Sequence, residues 1–252
     1  RQRHERLAAS PDSHPAAQAV FFAARMAKRQ LMMRDPELAP LAKILFVKRQ
    51  PYLPSHNYSV IFDAEGGTGG AVCQLEIPSE NGRLVPQKAK INELFEAGAG
   101  IARDPVASFD LSKIYFAYRK SKKDSDYFRL MVMDGDGGNP TQLTDGPFHD
   151  YFPCPLPDGG LAFISTRCKA RYLCWRPQAF VLFRMDADGG NIRPLSYANV
   201  SEWTPSLMTD GRIIWMRSEY IDKGANFGHT LWAIRPDGTH PELIYGNDTN
   251  NC

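Results

Sequence analysis

The chain is poor in the marks of a catalyst. In 252 residues there is no Gly-x-Ser-x-Gly elbow to expose a nucleophilic serine. The six histidines, His4, His14, His56, His149, His229 and His240, are scattered. No His-x-x-x-His spacing marks a zinc hydrolase. The glycine-rich run at residues 66–70 lacks the lysine of a phosphate-binding loop and reads as a flexible connector. A net charge of only +2 argues against a dedicated nucleic-acid binder. No apolar run approaches the roughly 18 residues of a membrane span. The chain starts at Arg1 with no secretory leader pattern, so a fragment or mature segment of something longer is expected. Nothing in the residues calls for a cofactor or a metal.

What is present is a repeat. Residues 180–196 (FVLFRMDADGGNIRPLS) form an alternating apolar run, an Asp-Gly turn and a second short strand. That is a strong hairpin signal. Residues 127–144 and 229–245 repeat it. The spacing of roughly 50 residues lies in the range of propeller blades. The 19 prolines and 20 glycines suit many short strands and turns rather than long helices.

Read in order, residues 1–40 differ from the rest. Residues 16–34 lack Gly and Pro and are rich in Ala, Met, Arg and Lys, which predicts a helix. Ser13 caps its start, and Asp35-Pro36 stops it. Phe21, Phe22, Met26 and Met33 supply a stripe expected to be buried; a membrane-surface helix is the alternative. A propeller segment is expected over residues 41–249, with blades near 43–95, 104–144, 151–196 and 203–245. The last three each read as strand, turn, strand, loop, strand, turn, strand; the first lacks its leading strand. The fold class is therefore all-β: a β-propeller of four-stranded antiparallel blades, three complete and one partial, with an N-terminal helix. Either these close as a small ring, or further blades follow Cys252, the favoured reading.

Residues 133–139 (MDGDGGN) with Leu143-Thr144, and 185–191 (MDADGGN) with Leu195-Ser196, resemble the TolB-type, WD-like propeller repeat. More narrowly, residues 44–49 (ILFVKR), 154–158 with 163–168 (FISTRC), and 203–220 (WTPSLMTDGRIIWMRSEY) resemble large extracytoplasmic proteins related to the hydrazine synthase alpha subunit. This resemblance implies a scaffold or interaction module in a periplasmic or secreted protein. It also implies an alternative, the propeller of a multihaem or metal redox enzyme whose haems lie elsewhere. Covalent c-type haem needs Cys-x-x-Cys-His. The sequence has no such motif, so the redox chemistry itself is not supported here.

In this strand order the Asp-Gly turns share one face and the longer loops share the other, where function is expected. An arginine ends each second strand: Arg49, Arg119, Arg167 and Arg217. His56, Tyr58, His149, Asp150, Glu202, Glu219 and Tyr220 fall around them. One reading is a polar pocket for an anion or a carboxylate-bearing peptide; the other is solvated strand ends with local salt bridges. A hydrolase or lyase using His149, Asp150 and Glu219 is a third. Cys168 and Cys174 flank a loop. They read as a disulfide, as free thiols or as two ligands of a metal. Asp134 and Asp186 open turns like the start of a calcium loop, but the Gly and Glu such a loop needs are missing. A protein partner, or other domains of the same polypeptide, is expected on the loop face.

Overall fold

The computed structural model describes residues 14–51, 67–123, 125–170, 178–198, 200–218 and 229–246. Helix α1 (His14–Met32) and a 3-10 helix (Pro36–Ala42) precede strands β1 (Lys43–Lys48) and β2 (Ala71–Glu76). A short hairpin, β3 (Ser79–Glu80) and β4 (Arg83–Leu84), leads to β5 (Lys90–Glu96). Strands β1, β2 and β5 make a three-stranded sheet in that order. The chain divides into two compact units, Arg1–Ile44 with Leu75–Asn92, and Leu45–Gln74 with Glu93–Cys252.

In the first unit, Asp35 caps the 3-10 helix by accepting from the Glu37 N–H at 3.0 Å. Asn81 and Gly82 both take positive φ, as the tight hairpin turn between β3 and β4 requires. The expected buried stripe on α1 is corrected. Phe21, Phe22 and Met26 are 55%, 57% and 37% exposed, and Met33 is half-buried. Among its described residues, this unit has little regular structure that offers a buried face to receive them. Its 3-10 helix buries no residue, and its hairpin strands are two residues each.

The second unit holds three four-stranded sheets. The first comprises β6 (Ile101–Ala107), β7 (Lys113–Arg119), β8 (Arg129–Asp134) and β9 (Thr141–Gln142). The second comprises β10 (Asp150–Pro155), β11 (Leu161–Ser165), β12 (Val181–Met185) and β13 (Arg193–Pro194). The third comprises β14 (Glu202–Leu207), β15 (Ile213–Ser218), β16 (His229–Ile234) and β17 (Glu242–Tyr245). In all three, consecutive strands pair antiparallel, so each sheet is a simple meander.

The sheets stack. Strand β10 packs beside both β6 and β14. The middle sheet is thereby covered on both faces, and every residue of β11 and β12 is buried. Phe128, Leu130, Tyr151, Phe163, Leu182 and Trp215 belong to one shared core. Each such side chain contributes roughly 1.5–3 kcal/mol on burial. The faces between sheets therefore outweigh the turns in holding the fold. The result is an all-β, propeller-like arrangement.

The turns also lock neighbouring sheets together. Gly189, at φ +86°, lies where a Cβ would meet the Leu143 carbonyl oxygen at 2.4 Å. A side chain there would be strained by its own backbone and would collide with the preceding sheet.

Candidate functional site

Of the expected site residues, Asp150 and Glu202 stand at the starts of the leading strands β10 and β14. Each of the three leading strands, β6, β10 and β14, is broken by a bulge. Register shifts fall between Arg103 and Val106, Tyr151 and Cys154, and Trp203 and Ser206. At each break a non-glycine residue takes positive φ, namely Asp104 (53°), Phe152 (50°) and Thr204 (48°), just before Pro105, Pro153 and Pro205. A β-branched or bulky residue rarely adopts that conformation. Its recurrence at one position in three sheets marks a built-in kink, which bends the strand and re-aims the residues before it. It also explains why β6 begins at Ile101 rather than at the expected Asp104.

The kinks leave two carboxylates fully buried, Asp150 and Glu202. Asp150 Oδ1 accepts from Ser165 Oγ at 2.6 Å, and Oδ2 accepts from Arg167 Nη2 at 2.9 Å. The Asp150 amide donates to the Phe128 carbonyl of the preceding sheet at 3.0 Å. Burial pushes the Asp150 carboxyl above the ordinary carboxylate range, against the pull of the Arg167 guanidinium.

Glu202 is tied more fully. Its Oε1 accepts from Ser196 Oγ at 2.8 Å, and from Trp215 Nε1 and Arg217 Nε at 2.9 Å each. Its Oε2 accepts from the Leu182 N–H at 2.8 Å. The Glu202 amide donates to the Phe180 carbonyl at 2.7 Å. Four donors on one carboxylate fill its acceptor sites. They offset the desolvation of the charge. The two from Leu182 and Ser196 fasten the third sheet to the second, while those from Trp215 and Arg217 come from the neighbouring strand of the same sheet. Arg217 also lies 4.2 Å from the Trp232 ring centroid.

Two of the four expected arginines, Arg167 and Arg217, are thus paired with Asp150 and Glu202, each pair within its own sheet, while Asp150 and Glu202 also bond to the preceding sheet. Arg119 is 8% exposed, and its Nη2 donates to the Lys123 carbonyl at 2.8 Å. Burial, and then the Arg103 charge, lower the Arg49 pKa. His149 accepts from the Phe128 N–H through Nδ1 at 3.2 Å. Its ring stacks on Tyr151, with centroids 5.7 Å apart. His56, Tyr58, Glu219 and Tyr220 lie outside the described residues.

Cys168 is exposed, and its Sγ lies 3.6 Å from the Ala179 carbonyl oxygen. Cys174, its expected disulfide partner, lies outside the described residues. Cys73 and Cys154 are free and buried, and burial raises the Cys154 thiol to about 11. Sequence reasoning missed the inter-sheet role of Asp150 and Glu202 and the kinks beside them. The available signal was a proline three positions after each carboxylate.

At the opposite end Asp134 and Asp158 of the turns pair with Lys113 and Arg184 on neighbouring strands, and other turn carboxylates bond locally. Asp136 and Asp188 accept from the Gly138 and Gly190 amides at 2.9 and 2.8 Å. Asp110 accepts from both Ser108 and Ser112, and these bonds hold its carboxyl down to about 2. No helix among the described residues is long and apolar enough to cross a membrane.

No protein-family model matches this chain. No curated protein matches it either. Solved structures do. Hydrazine synthase of Kuenenia stuttgartiensis is similar at a TM-score of 0.66 and 18% identity, over 82% of this chain and 32% of that one. A puromycin-hydrolysing peptidase of Mycobacterium tuberculosis is similar at 0.52 and 13% identity, over 82% and 28%. A structure described as TolB, from Agrobacterium tumefaciens, matches at 0.46 and 16% identity, over 71% and 64%. Both kinds of protein named by the sequence resemblance are therefore among the matches. The chain spans about a third of the length of the hydrazine synthase chain it resembles. At such identities the likeness establishes the fold, an all-β, propeller-like stack of four-stranded sheets.

Proposed function

We propose that this chain is a non-catalytic β-propeller module of a larger extracytoplasmic bacterial protein, periplasmic or secreted. Its blades follow the four sheets in order, three complete and one partial, after an N-terminal helical extension. It binds a protein partner, or other domains of the same polypeptide, through the face that carries the longer loops. The observation that carries this reading is the use of the charged residues at that end. Asp150 with Arg167, and Glu202 with Arg217, are buried pairs between neighbouring strands of one sheet, and the same two carboxylate residues also bond to the preceding sheet, rather than standing open to a substrate. Recognition then belongs to the exposed parts of the loops. Arg49, His56, Tyr58, Glu219 and Tyr220 are the proposed contacts, with a small anionic ligand as the lesser possibility. A Cys168–Cys174 disulfide would brace one of those loops.

A second reading rests on the likeness to hydrazine synthase. Here the module is the propeller of a multihaem or metal redox enzyme whose haems lie outside these residues. Lysine cross-linking of the full polypeptide in its native extract, read with an optical spectrum, tests both. Lys120 and Lys123 on the loop face are expected to cross-link to another domain or protein, while Lys113 at the turn end is not. Cross-links confined to Lys113 would sink the loop-face reading. A Soret band in the full polypeptide would favour the redox enzyme.

A further inference from the structure

The junctions between sheets repeat, and the last sheet carries half of a junction, with one difference. A register shift between Leu231 and Trp232 sets Tyr245 opposite Leu231 and makes Ile244 an extra residue, so equivalence on β17 is counted from the turn. At the two complete junctions, the leucine in the third strand is fully buried: Leu130 on β8 and Leu182 on β12 are both 0% exposed. The equivalent residue on β16, counted back from the Asp-Gly turn, is Leu231, and it is 37% exposed. The fourth strand grades the same way, with Leu143 partly buried at the first complete junction and its counterpart more deeply buried at the second. Leu195 is 3% exposed, whereas its equivalent, Ile244 on β17, is 41% exposed.

The outer contact recurs as well. A positive-φ turn glycine sits over the fourth-strand residue of the sheet before it. Gly137 lies over Leu94, Gly189 over Leu143 and Gly238 over Leu195. Ile244 is the next residue in that series. Each incoming sheet also donates a backbone N–H to the third-strand residue two before the leucine. Asp150 donates to Phe128 and Glu202 donates to Phe180, and in both cases the donor is acidic. His229 holds that place on β16.

We propose that the face bearing His229, Leu231 and Ile244 is the seat of a further four-stranded sheet of the same repeat, supplied by the same longer polypeptide. The proposal rests on the reading of these sheets as propeller blades within a larger protein. It assigns the occupant a chemistry: a buried Asp or Glu at the start of its first strand, its amide donating to the His229 carbonyl, and a positive-φ turn glycine over Ile244. The argument is continuity with two interfaces already built in the same molecule. Apolar burial of this kind stabilises an intramolecular interface without help from charge.

The test is maleimide labelling of Ile244→Cys, read peptide by peptide by mass spectrometry. The control is Leu243→Cys, at a neighbouring position that is 49% exposed and whose counterpart Gln142 is exposed. In the full polypeptide, Ile244→Cys is expected to label at least about tenfold more slowly than Leu243→Cys, since a shielded thiol reacts only through opening. Equal rates in the full polypeptide would overturn the proposal. So would slow labelling of Ile244→Cys that turns fast when a sedimenting dimer of the full polypeptide is diluted to monomer, because the occupant would then be a second copy. The readout is independent of anything bound at the loops. A loop face that captures no partner would end the binding reading and leave this one standing.

Discussion

The two ends of the sheets handle carboxylates in opposite ways. At the turn end, Asp110, Asp136 and Asp188 are exposed and bond within two residues of themselves. At the loop end, Asp150 and Glu202 are fully buried and reach donors 6 to 20 residues away in sequence, several in other strands. An exposed aspartate shapes one turn and is screened by water. A buried one must be saturated with donors, and its loss leaves an uncompensated partner inside the protein. The loop end, where ligand chemistry was expected, is thus where the sheets are fastened.

Glu202→Gln should break this comparison hardest. An amide cannot neutralise Arg217, and its NH2 group would face either the Leu182 N–H or the Ser196, Trp215 and Arg217 donors. Breaking a buried pair of this kind costs about 3–5 kcal/mol. At roughly 2–4 °C per kcal/mol for a chain of this size, the thermal midpoint should fall by on the order of 10 °C. A loss below about 1 kcal/mol in urea unfolding, the value of an exposed pair, would mean that Glu202 is not the tie described here.

Asp150→Asn should change the slope of stability with pH more than its height. The native carboxyl holds its proton to higher pH than the ordinary value of 3.8 allows in the unfolded chain. The native state therefore binds more protons in that window. This group's contribution is fully present below 3.8 and is lost as pH rises through the raised native value. Urea midpoints measured from pH 3 to 8 should show wild type losing ground to Asp150→Asn as pH rises. The opposite slope would show that Arg167 outweighs burial.

Asp110→Ala should give the smallest effect, with the reverse sign. Its carboxyl is held down to about 2 by Ser108 and Ser112, so its contribution is present above 3.8 and fades as pH falls through about 2. Wild type and variant should differ slightly near neutrality and converge in acid. A gap that widens in acid would contradict the assigned hydrogen bonds.

Much of the fold was legible because its signals are local. The Asp-Gly turns appear where residues 134–138, 186–190 and 235–239 placed them, with Gly137, Gly189 and Gly238 at positive φ. Boundaries were read less well at β6, where the kink at Asp104 interrupts the alternation and hides Ile101–Arg103. The helix was legible, but not the exposure of Phe21 and Phe22, because burial depends on what lies opposite. Of the site, the arginine at the end of each second strand was visible. Its partner was not, because Arg217 and Glu202 are 15 residues apart and meet only through strand pairing.

By itself, then, the sequence determined the period, the turns and the strand order. Each of these is set by backbone preferences within a few residues, above all the freedom of glycine and the short hydrogen bonds of aspartate. The tertiary structure alone decided which charges are spent and which remain. Strand pairing sets Glu202 opposite Arg217 and Asp150 near Arg167, and the packing of one sheet on the next takes both pairs out of water. No local pattern in the chain encodes the desolvation that makes those pairs structural.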